Sequence, residues 1–149
     1  MRRVIVLLLL LWGCILLPSG LFAQEGYEPI TAEELRAVLE DVRSWAAETS
    51  IFRKNAVNMK PQEIYNEASA IQRKFDPVMV LMATTEPEAT YKPATAMLLM
   101  GAKGVELALW HYIYAVMGDS QNAMNHGDVV LAAAVNQLHD ADMLFSQLP

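Results

Sequence analysis

The stretch PATAMLLMGAKGVELALWHYIYAVM, from Pro93 to Met117, decides the fold, because Lys103 and Glu106 are its only formally charged side chains. A helix that is apolar almost all round has to be covered by other helices if it sits in water. Leu98, Ala102, Val105, Leu109, Tyr112 and Val116 form one a/d seam along it. Met97, Gly101, Gly104, Ala108 and Ala115 form a second seam of mostly small residues, with His111 the exception in that row. The segment is therefore expected to be the most buried member of a four-helix bundle.

Outward from this rod, Gly118 is expected to end the helix in a left-handed conformation, and Asp119 or Ser120 to cap the next one after a short turn. In that last helix Met124, Leu131, Leu138 and Phe145 recur every seven residues, with Ala134, Val135 and Ala141 between them. On the other side, TTEPEATYK from Thr84 to Lys92 reads as the longest internal connection. Before it, Pro61 opens a helix whose seam is Ile64, Ala68, Ile71, Phe75, Val78 and Met82, and Pro77 predicts a kink within it. Earlier still, Thr31 and Glu34 form a capping box, and Ile30 with Leu35 a hydrophobic staple. Leu35, Val38, Val42, Trp45, Thr49, Phe52, Ala56 and Met59 then hold a strict a/d rhythm, opposite a solvated face of Arg36, Glu40, Arg43 and Glu48. No strand alternation or hairpin signal appears. The expected fold is all-α, an antiparallel up-down-up-down four-helix bundle over residues 24–149, preceded by a signal peptide.

That signal peptide is read at residues 1–23: Arg2 and Arg3, an apolar run from Val4 to Leu17, and a cleavage site after Ala23. An uncleaved anchor is the alternative, and it is the only route to the membrane foreseen. A secreted or periplasmic location in a bacterial envelope is expected. Cys14, the one cysteine, lies within the leader, so the mature chain is expected to have no disulfide, cysteine metal site or cysteine nucleophile. Removing Arg2 and Arg3 from the 11 basic residues leaves 9 against 17 acidic ones, a net of −8. Such a balance argues against nucleic acid as a partner. Charge is also uneven along the chain. From Pro93 onward Lys103 faces five acidic residues, whereas residues 24–92 hold eight basic and twelve acidic ones.

No phosphate loop, His-Glu-x-x-His, Glu-x-x-His or Cys-x-x-Cys-His is present, so no catalytic activity and no cofactor are expected. The leading expectation is a binding or assembly module working through the poorly charged second hairpin, with a protein partner or as a homodimer. The alternative is a small metal or haem carrier. Laying the helices antiparallel brings Met79, Met82, Met97, Met100 and His139 to one level, and thioether with imidazole suits copper(I) or the axial positions of haem b. The architecture resembles that of exported four-helix cytochromes in fold class alone, since the first helix has only Met59, at its far end. A buried pair between His111 and Asp128 is the remaining candidate, with enzymatic use of it ranked last.

Overall fold

The computed structural model describes residues 28–148, so the expected signal peptide lies outside the described residues. Four helices carry nearly all of them: α1 (Ala32–Ala56), α2 (Pro61–Thr84), α3 (Lys92–Met117) and α4 (Gln121–Ser146). The fold is all-α, as a helical bundle requires. Two three-residue strands, β1 (Glu28–Ile30) and β2 (Thr85–Pro87), pair in parallel. This pair was not anticipated, because three residues that include a proline show no alternation to read. It fastens the lead-in to the α2–α3 connection through backbone bonds, while the Ile30 side chain is buried.

Local signals explain most of the helix ends. At the start of α1 the Thr31 hydroxyl accepts from the Glu34 amide at 3.2 Å, and the Glu34 carboxylate accepts from the Thr31 amide at 2.8 Å. Ile30 and Leu35 are both buried beside that box, as a staple requires. Pro61 occupies the first turn of α2, where its missing amide costs nothing. Helix α2 runs on through Pro77, whose ring is exposed. The α3–α4 turn departs from expectation. Gly118 has φ −104°, and the left-handed residue is Asp119 at φ 48°. The Ser120 amide then reaches the Ala115 carbonyl at 2.8 Å, so Asp119 fills the position a glycine usually takes in this closure. Aspartate tolerates it because its short polar side chain is among the few that enter this region.

The core is built from the seams. The α1 seam from Leu35 to Ala56 is buried, Met59 lies partly buried just beyond the helix end, and Ile64, Ala68, Ile71, Phe75 and Val78 of α2 face the seam, with Trp45 tilted on Phe75 at 4.5 Å between ring centres. Helices α3 and α4 share the most extensive contact in the molecule. Its closeness comes from glycine: a Cβ at Gly104 would lie 2.8 Å from the Ala134 Cβ, and one at Gly101 2.5 Å from Leu138 Cδ2. On the other helix, a Cβ at Gly127 would lie 2.5 Å from the Tyr112 ring. Val135 was expected inside and is 47% exposed, because the small-residue face of α3 meets Ala134 and Leu138 instead. No described helix is long and apolar enough to cross a membrane, α3 included.

Two stability measurements check this packing. Gly104→Val should separate α3 from α4 and lower unfolding free energy by about 2 kcal/mol, read from the urea midpoint. Thr49 is fully buried, and its hydroxyl has no hydrogen-bond partner among the described residues. Thr49→Val keeps the shape and removes that orphan, so stability should rise by about 1 kcal/mol.

Candidate functional site

Two surfaces concentrate the chemistry. The first is a groove of ≈ 880 Å³ between α1 and α4. Its floor is apolar, with Ala46, Leu131 and Leu138, and cationic side chains stand along it. Arg53 forks onto Asp128, with Nε to Oδ1 at 3.0 Å and Nη2 to Oδ2 at 2.7 Å. The Tyr112 hydroxyl donates to the same Oδ1 at 2.9 Å from a ring that is almost wholly buried. Further along, Arg43 donates to Asp142 at 2.7 Å and to Glu40 at 2.8 Å, and at the far end Arg36 donates to the Phe145 carbonyl at 3.2 Å. Arg36 and Arg43 were read as a solvated surface, but long arginine stems let them leave that face and tie α1 to α4.

The electrostatics follow from these bonds. The Arg53 guanidinium holds the Asp128 carboxyl below the usual carboxylate range, with the Tyr112 hydroxyl helping and burial opposing. Burial first, and then the bond to Asp128, push the Tyr112 phenol well above its ordinary value. Arg43 is likewise raised, mainly by its bond to Asp142. Tyr112 is thereby fixed as a neutral donor at the base of the groove. Within the cluster the hydrogen bonds position Asp128 and pair its charge with Arg53.

The second surface is the outer face of α3. Met100, Leu107, Trp110, Tyr114 and Met117 are 51, 50, 48, 69 and 59% exposed, and with Lys103 they follow a 3-4-3-4-3 spacing. Two shallow depressions flank them, of ≈ 490 Å³ beside Met100 and Val129 and of ≈ 560 Å³ beside Trp110 and His126. A large apolar strip of this kind is uncommon on an isolated chain and marks interaction surfaces. Lys103 lies 3.5 Å from Glu106, the one charged pair near the strip.

The residues singled out by sequence fall apart into several places. Met79, Met82 and Met97 are half-buried packers of the core. Met100 opens on the α3–α4 side, whereas His139 is exposed on the α1–α4 groove. The two therefore line different grooves. His111 does not meet Asp128, whose oxygens are taken by Arg53 and Tyr112. It stacks instead on His126, with ring centres 5.8 Å apart and planes at 27°. Adjacent helical positions point about 100° apart, so only Tyr112 of the neighbours 111 and 112 faces α1 and Asp128. Among the described residues no group of three or more His, Cys, Asp or Glu side chains is placed to hold a metal ion. The Arg53–Asp128–Tyr112 cluster was missed, although Arg36, Arg43 and Arg53 lie along one side of α1 and Asp128 and Asp142 two heptads apart on α4. Comparison of the chain with protein-family models, curated proteins and solved structures gives no match.

Asp128→Asn tests the cluster. A depressed carboxyl contributes stability that is complete above its unfolded value of about 3.9, and the contribution is lost as pH falls through the lower folded value. The variant should be less stable than the parent by about 1 kcal/mol at neutral pH, a modest figure because both charges are partly solvated. That gap should close as pH falls below about 4 in thermal melts.

Proposed function

We propose that the protein is an exported binding or assembly module without catalytic activity, which acts by presenting the outer face of α3 to another polypeptide. One observation carries the reading. Five large apolar side chains stand in register on a single helix face, each about half exposed or more, in a half of the chain whose only cation is Lys103. Desolvating such a strip is favourable, at roughly 25 cal/mol per Å² of apolar surface. A face with two charged handles offers little to a nucleic acid or to an anionic lipid surface. The assignment to a secreted or periplasmic compartment rests on the sequence of residues 1–23, where Arg2 and Arg3 precede the apolar run from Val4 to Leu17.

Within the module the helices run up-down-up-down. Support comes from the order of contacts: Arg36, Arg43 and Arg53 meet Phe145, Asp142 and Asp128, and Gly101, Gly104 and Tyr112 meet Leu138, Ala134 and Gly127. Along each pair of helices one series rises as the other falls. In this arrangement α1 and α2 brace one side of α3, and its opposite side stays open.

A photo-crosslinking side chain placed at position 114 in producing cells tests the reading. Adducts are expected there, and none from position 65 of α2, which is equally exposed at 68%. Equal labelling at both positions, or none at 114, would count against the module.

A further inference from the structure

The strip on α3 has a second property beyond being apolar: its 3-4-3-4-3 spacing is the same in both directions, and reversal sets unlike but compatible side chains opposite each other. Its members are Met100, Lys103, Leu107, Trp110, Tyr114 and Met117. Reversed about the level between Ala108 and Leu109, Met100 falls on Met117, Lys103 on Tyr114 and Leu107 on Trp110. In an antiparallel helix pair each a position packs against a d position of the other helix, and this reversal makes that exchange at all three levels.

Resting on the proposed docking role of this face, we infer that its occupant is a second copy of the same chain, packed antiparallel along α3 about a two-fold axis at that level. A two-fold interface uses one patch twice and so requires self-complementarity. Met100 then meets the partner's Met117, and Leu107 the partner's Trp110, on both sides of the axis. Lys103 decides the direction. In a parallel pair the two Lys103 ammonium groups would face each other across an apolar seam, a like-charge contact that each chain's own Glu106 offsets only from the side. In the antiparallel pair each lies against the partner's Tyr114 ring, a favourable cation–π arrangement, while Glu106 remains beside it on its own helix.

The area available sets the strength. At about half exposure, side chains of this size offer roughly 100 Å² each, so the five apolar ones supply roughly 500 Å² per copy. Leu99 and the Lys103 stem add to that. A standard interface buries about 800 Å² per partner, which places this pair toward the smaller, exchanging kind. The second copy also answers the charge pattern: a strip with one cation cannot select a highly charged partner, but it can pair with a second copy that sets a Tyr114 ring against each Lys103.

Cysteine pairing in the full chain with Cys14→Ser tests the register. Met100→Cys and Met117→Cys chains, mixed and oxidised, should give a disulfide-linked dimer, and each variant alone should give several-fold less. Positions 100 of the two copies lie about 25 Å apart along the helices in this arrangement. Cross-linking by Met100→Cys alone would overturn the antiparallel register. Sedimentation of the parent chain should show a monomer–dimer equilibrium, and Trp110→Asp should weaken it at least tenfold. Because Trp110 lies outside the core, its circular dichroism should match the parent's. A parent chain that stays monomeric at high concentration while position 114 still labels other proteins in cells would overturn self-pairing and leave the docking role standing. Loss of both signals would remove the two together.

Discussion

The structure depends on how near α3 and α4 come to each other. Gly101 and Gly104 on one helix, and Gly127 on the other, remove the side chains that would hold the axes apart. Ala134, Leu138 and the Tyr112 ring fill the space so released. Dispersion contacts are individually weak, but they add up along an interface of two 26-residue helices. Because the contact is made by small residues, α3 meets α4 along a narrow line. Much of the circumference of α3 is left over, and α1 and α2 cover only part of it.

That geometry accounts for both surfaces. On the inner side, the close contact sets the Tyr112 ring against Gly127, next to Asp128, and Arg53 then completes the cluster from α1. On the outer side, the same narrow contact leaves Leu107, Trp110 and Tyr114 about half exposed or more beside the first turns of α4. Helix α4 has no lysine or arginine of its own, and α1 supplies them, as Arg43 does for Asp142 and Arg53 for Asp128. These pairs are half-solvated and individually modest in energy. Their value lies in the register they impose between α1 and α4.

Much of the fold was legible in the sequence. The seams of α1 and α2 alternate sharply with polar residues, so the burial of Leu35 through Ala56 and of Ile64 through Val78 follows from period alone. The small-residue seam of α3 was legible for the same reason. Its outer strip was not, since a helix apolar on nearly every face gives no contrast from which to tell covered from bare. The arginine ties were missed because a side chain of that length reaches a neighbouring helix from a face that looks solvated. Histidine 111 was misplaced relative to Asp128 by one helical position, enough to turn it toward His126. Asp119 took the left-handed site expected of Gly118, a choice between adjacent residues that composition does not decide.

The ties between α1 and α4 also set the order in which the molecule can be completed. Arg36 and its partner carbonyl at Phe145 are 109 residues apart, and Arg43 and Asp142 are 99 apart. Contacts that distant form late, because the loop they close has to be gathered first. The α3–α4 pair closes across a turn of a few residues and can assemble early by comparison. A chain leaving the ribosome can therefore lay α1 on α2 early, but the clasps that α1 sends to α4 stay open until that helix has been made.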